Sequence, residues 1–227
     1  MSKTNKKGFT LVELSIVLVV IGLILAAVSI GRDLQRNAVY QRLSSSFVQG
    51  WAVAYQSYFD RTGIVPGDDP AIPTLKVNQG GDELCDTDLQ TIMDAAGIAM
   101  PEGRSKGSED RYAYLDSNGN PQETQVCFQN VPWSITGGAP DTYVSRLKNV
   151  MVVKSLTPDL ARYLDAQIDG KSDARFGLFR EDSQAAVLTG NATVWSVDNR
   201  MPYDSTTPTN QDESQVAVVT AYYLINP

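Results

Sequence analysis

"GFTLVELSIVLVVIGLI", Gly8 to Ile24, is an almost wholly apolar run that holds one carboxylate, Glu13. A short start carrying Lys3, Lys6 and Lys7 precedes it, and from Leu14 to Ile30 the chain has neither a charge nor a proline. About 20 residues at 1.5 Å each cross the hydrocarbon of a bilayer. Basic residues ahead of such a run hold that end in the cytoplasm, so the remainder is predicted to face outward. Three readings compete. A cleaved secretory signal is cut at small residues after its apolar region, but the stretch from Ala26 to Ser29 lies inside a pattern that continues as helix. A plain anchor has the length and leaves Glu13 unexplained, because a carboxylate in a span costs about a few kcal/mol unless it snorkels to the headgroups or meets a cation. The third reading is a signal with its own processing rule.

Composition narrows the rest. The chain has 227 residues, 42% of them hydrophobic, enough for one medium domain with a core and an appendage. A formal charge of −7 gives it no cationic field for phosphate backbones or anionic lipid heads. Histidine is absent, which removes the commonest general base and transition-metal ligand and rules out Ser-His-Asp and Cys-His triads. Carboxylate neighbours such as Asp68 with Asp69 or Glu181 with Asp182 project in different directions and read as solvated turns. The chain is therefore predicted not to be an enzyme. Cys85 and Cys127 are too few for a zinc ribbon and match a single disulfide in an exported chain, with two separate buried thiols as the alternative. Such a bridge closes a loop of about 40 residues and contributes on the order of 4 kcal/mol. No C-x-x-C spacing supports a redox role.

"KKG" followed by "FTLVELSIVLVVIGLI" resembles the class III signal of type IV pilins and type II secretion pseudopilins: a basic leader, Gly8 at the cut, Phe9 as the new first residue, Thr10, then Glu13 and Gly22. The resemblance is carried by roughly the first 30 residues. It implies that a prepilin peptidase cuts between Gly8 and Phe9, that Phe9 is N-methylated, and that Glu13 pairs with the Phe9 amine of a neighbouring subunit during assembly. A buried charge needs such a partner. Where many members carry a proline in this helix, the chain has Ile30 and Gly31, and glycine weakens a helix by roughly 1 kcal/mol without removing an amide hydrogen. Partners implied are other pilin or pseudopilin subunits, the peptidase and an inner-membrane assembly platform, with nucleic acid disfavoured by charge. The implied location is a single-pass inner-membrane precursor and afterwards a periplasmic or extracellular filament.

Past the span, Tyr40, Leu43, Phe47, Trp51, Ala54 and Tyr58 recur at steps of three or four. That stripe predicts a helix laid on a sheet. With no proline before Pro66 and a glycine stop at Gly63, one helix is expected from about Thr10 to Asp60. The expected organisation is a leader at 1–8, a span or filament-core segment at 9–31, its amphipathic continuation at 32–62, and a head at 63–227. "GIVPGDDP", Gly63 to Pro70, is a Pro-Gly turn. Within the head, 71–140 reads as a long variable connection with only short elements such as "DLQTIMDAAGI" and "RYAYLD", and 141–227 as the sheet region. In "LTPDLARYLDAQIDG" Thr157 is an N-cap, Pro158 the first helical residue, Leu160, Leu164 and Ile168 the apolar face, and Gly170 the stop. "RFGLFR", "AAVLTGNATVWSV" and "SQVAVVTAYYLI" read as strands. The fold class expected is α+β and pilin-like, a long N-terminal helix packed on an antiparallel sheet.

No cofactor is expected. Calcium is a weak candidate at Asp198, Asn199, Asp204 and Asp212, with Glu213 beside them, because no ligand spacing there matches a known loop; solvated acidic loops are the commoner case. "DSNGN", Asp116 to Asn120, lacks the glycine position and closing Glu of an EF-hand and reads as a tight turn. The N-x-T sequon at Asn191 reads as chance. The function expected is a structural subunit of a type IV pilus-like or secretion filament; the alternatives are a minor or tip pilin, or a tethered adhesin-like binding protein.

Overall fold

The structure is a computed structural model that describes residues 10–116, 119–196 and 218–225, and within them the side chains of all but residues 29, 30, 32 and 33. The chain divides into two compact units, Met1–Ala38 and Val39–Pro227.

The first unit holds most of helix α1 (Leu11–Arg42). Its backbone stays helical through Ile30 and Gly31, since neither residue removes an amide donor. Leu11–Val28 is an 18-residue window with mean hydropathy 2.9, and none of it is buried. At 1.5 Å per residue the window is about 27 Å long, close to the thickness of a bilayer's hydrocarbon.

In the second unit the helical backbone continues from α1 through a π-helical segment (Leu43–Val48) into α2 (Gln49–Thr62). The wider turn presents Leu43, Phe47 and Val48 to the same buried side as Trp51, Ala54, Tyr55 and Tyr58. Gly63, at φ +75°, ends α2 and returns its N–H to the Phe59 carbonyl, a left-handed conformation that glycine adopts without penalty. A short helix α3 (Asp86–Ala95) follows, capped at its end by Arg61, whose Nη1 donates to the Ala96 and Gly97 carbonyls.

Among the described residues five antiparallel strands form one sheet: β1 (Arg111–Leu115), β2 (Pro121–Thr136), β3 (Tyr143–Leu156), β4 (Phe179–Glu181) and β5 (Val219–Leu224), in spatial order β1-β2-β3-β5-β4. Helix α4 (Pro158–Ile168) lies between β3 and β4 in sequence, with Thr157 as N-cap accepting from the Leu160 N–H and Pro158 in its first turn. A short α5 (Asp182–Ala185) follows β4. One face of the sheet meets the helix: Phe128 lies 6.1 Å from Trp51 and 5.1 Å from Tyr55 between ring centroids, and Val126, Met151, Val153 and Phe179 join the same core. The opposite face carries a smaller cluster of Cys127, Val131, Trp133, Val150, Val152 and Ala185.

Three expectations are corrected. The stretch 71–140, expected to carry only short elements, contains β1 and the whole of β2, a 16-residue strand beside the centre of the sheet. Both faces of β2 are covered, so Val126, Cys127 and Phe128 are buried in succession and the alternation that marks a one-sided strand is missing. Pro132 also argues against a strand, but β1 pairs only as far as Gln125, so β2 has no strand neighbour on that side there. Second, "AAVLTGNATVWSV" forms no strand among its described residues; α5 and irregular chain occupy 182–196. Its backbone finds other partners: Thr193 N–H donates to Asp173, and Ser196 N–H to Glu181. Third, only the end of "RFGLFR" is strand, because Asp169 accepts from the Leu178 and Phe179 N–H groups and turns the chain before β4.

The connection from Gly63 to Leu84 is held by two buried side chains. Asp68 accepts from the Thr74 and Leu75 N–H groups and the Thr74 hydroxyl. Asn149 on β3 accepts from Val77 N–H and donates to the Leu75 carbonyl. Cys85 and Cys127 are joined, Cα to Cα 4.6 Å, and so tie the start of α3 to β2.

Candidate assembly site

Helix α1 begins with a reciprocal cap. Thr10 donates to one Glu13 oxygen, Oε2, from both its backbone N–H and its hydroxyl, each at 2.8 Å, and the Glu13 N–H returns to the Thr10 hydroxyl oxygen at 3.2 Å. This is a capping box: the first amides of a helix lack intrahelical acceptors, and a Thr followed three residues later by Glu supplies them. The signal for it is in the sequence, as T-x-x-E ahead of an apolar run, although the same Glu13 also reads as a charge within a span. The carboxylate thus has a local structural partner, and its second oxygen, Oε1, makes no hydrogen bond among the described residues.

Around that cap the surface of the helix is apolar on all sides. Leu11, Leu18, Leu23 and Leu25 are each more than 60% exposed, so the described residues of this unit form no core that covers them. A contiguous apolar surface of this extent in a polypeptide is stable in lipid or against other apolar helices. Gly22 has open space where a Cβ would stand, which leaves a flat spot for close helix approach. Ser15 returns its hydroxyl to the Val12 carbonyl, and so adds no unsatisfied donor to the apolar surface.

The other residues singled out from sequence fall elsewhere. Gly8 and Phe9 lie outside the described residues, as do Asp198, Asn199, Asp204, Asp212 and Glu213. Asp116 accepts from the Asn120 N–H and amide, which closes the 116–120 turn on itself. Glu83, Cys85 and Cys127 bring ligand-type atoms together, but the two sulfurs are bonded to each other and Glu83 pairs with Lys154, so the group is not a metal site. Sequence reasoning also missed the buried charges Asp110, Asp165, Asp173, Arg175 and Arg180, and Asp68 and Glu181, read there as solvated, are buried as well. Arg180 stacks 4.1 Å from the Trp133 ring centroid and donates to the Ser134 carbonyl and hydroxyl; burial brings it down to about 10.

A family model described as the prokaryotic N-terminal methylation motif matches residues 3–29. No curated protein and no solved structure matches the chain. The motif implies processing by a peptidase and assembly with other pilins, and the apolar helix fits a membrane-anchored precursor. The chain therefore carries a type IV pilin-like class III signal on an α+β, pilin-like layout.

Proposed function

We propose that this protein is a structural subunit of a type IV pilus-like or type II secretion filament, cut between Gly8 and Phe9, N-methylated on Phe9, and polymerised through α1. The observation that carries the reading is the exposed apolar window Leu11–Val28 joined to the methylation motif. Before assembly the window lies in the inner membrane with the N-terminus cytoplasmic; afterwards it packs among like segments of neighbouring subunits, and the head faces the periplasm or the exterior. Work of this kind is packing rather than catalysis. Repeated head-to-tail contacts with a rise and a rotation give an open filament.

Glu13 has two tasks in this account. Oε2 caps its own helix, and Oε1 receives the Phe9 amine of the next subunit as the bundle closes. Bringing that amine into an apolar bundle without a carboxylate costs about several kcal/mol at each joint. Two variants separate the tasks. Glu13→Gln keeps an acceptor for the cap, since Gln serves in capping boxes, and loses the charge; Glu13→Val loses both. Both variants are expected in the membrane fraction at parental level and cut after Gly8, with sheared filaments reduced at least tenfold. Parental filament yield from Glu13→Gln would show that the cap alone is the residue's task and that no amine pairing occurs.

A further inference from the structure

At the turn between β2 and β3 the head has a cavity of about 510 Å³, bordered by Asp141, Tyr143, Phe176, Leu188, Thr189 and Asn191. Two walls are aromatic. The Tyr143 and Phe176 rings lie 5.7 Å apart, centroid to centroid, tilted 40°. Behind both sits Arg175, 1% exposed, its Cζ 4.9 Å from the Phe176 centroid and 5.5 Å from that of Tyr143. Its Nη1 and Nη2 donate to the Asn191 and Val187 carbonyls at 3.3 and 3.4 Å, while Nε has no partner among the described residues. Gly190, at φ +107°, closes the loop over the guanidinium; a Cβ there would come within 2.7 Å of Nη1. One buried cation therefore fixes two rings and a loop, so that the walls are ordered before any ligand arrives and little entropy is lost on binding.

The rim is polar and unspent. The Asp141 carboxylate, the Thr189 hydroxyl and the Asn191 amide are exposed and make no side-chain hydrogen bond among the described residues. Rigid ring faces flanked by free acceptors and donors suit a ligand with an apolar C–H face and a ring of hydroxyls. Charge narrows the choice further. Asp141 repels an anion, and Arg175 behind the rings offsets the negative ring faces that would attract a cation. We infer that this pocket binds a neutral saccharide, its pyranose face against Tyr143 and Phe176 and its hydroxyls on Asp141 and Asn191. The inference goes beyond the filament role and does not depend on it.

The test uses the full chain in a detergent without a sugar headgroup, titrated by ligand-observed NMR with maltotriose, cellotriose and triacetylchitotriose, and with sialyllactose as the acidic comparison. At least one neutral trisaccharide is expected to bind with Kd below about 1 mM, and sialyllactose at least tenfold more weakly. Asp141→Ala and Asn191→Ala should each weaken that binding by about tenfold, the size of a lost hydrogen bond to a polar ligand. Both side chains are exposed and make no hydrogen bond among the described residues, so the Asn191→Ala melt should coincide with the parent's and the Asp141→Ala melt should fall by only a few degrees, because Asp141 sits at φ +55°, which Asp tolerates better than Ala. The inference is overturned if none of the three neutral trisaccharides binds, if sialyllactose binds as well as they do, or if neither substitution changes the affinity.

Discussion

Asp165 and Glu13 are carboxylates in opposite surroundings, and each has a measurable consequence. Asp165 on α4 is fully buried; Oδ2 accepts from Asp173 N–H at 2.7 Å and from Trp195 Nε1 at 3.1 Å, and Oδ1 has no partner among the described residues. Burial, reinforced by Asp169 and Asp173 nearby, outweighs those two hydrogen bonds and pushes it up to about 7. An acid raised in the fold favours the protonated form, so its contribution is fully present below the ordinary carboxyl range and is lost as pH rises through about 7. Stability read from urea unfolding should therefore fall between about pH 4 and about pH 7, by a few kcal/mol at most, and Asp165→Asn should flatten that decline. An Asp165→Asn profile as steep as the parent's would assign the pH dependence to other groups. At Glu13, shortening the side chain to Asp keeps the charge and shortens its reach, so filament yield from Glu13→Asp should fall between those of the parent and Glu13→Val. A yield no better than that of Glu13→Val would mean that reach matters as much as charge.

At the scale of elements, the disulfide and the helix–sheet seam hold the head together. The Cys85–Cys127 bridge spans 42 residues and joins α3 to the strand that bears Phe128. Replacing both cysteines by Ser should cost about 4 kcal/mol by the chain-entropy estimate, read as a lower urea midpoint; a shift near zero would mean that the 85–127 loop is already ordered by its own contacts, such as Gln90 with Asp110 and Arg111 with Asp86. Legibility followed local chemistry. Helix α4 could be placed from Thr157, Pro158 and its apolar spacing, and the end of α2 from Gly63, because caps and stops act within a few residues. Strands β2 and β3 could not: their burial depends on what covers each face, and Pro132 and Asn149 are tolerated for reasons set by distant chain. The buried guanidinium of Arg175 was hidden for the same cause, since its partners are carbonyls and rings brought together only by the fold. At the N-terminus the processing motif was readable as a string, and the Thr10–Glu13 cap was readable and overlooked.

At the scale of the whole molecule, a head with its own core follows an apolar helix that the described residues leave uncovered. The head buries its aromatic stripe against its own sheet, whereas Leu11–Val28 is left unburied by the described residues; on the proposed function the first stays as it is and the second exchanges lipid for neighbours. Removing Lys3, Lys6 and Lys7 with the leader would take the formal charge from −7 to −10, which in the proposed filament would place mutual repulsion on the heads and leave cohesion to the apolar helices. In the proposed function, cleavage is the step on which that exchange depends, because it would both release the basic leader and create the amine proposed for Glu13. Mass spectrometry of the N-terminal peptide from sheared filaments tests it most directly. The expected result is a chain that begins at Phe9 and carries one methyl group on its amine, and a Gly8→Val variant that stays in the membrane as the longer precursor; a mature chain beginning near Ser29, or one found only in solution, would overturn the proposed function.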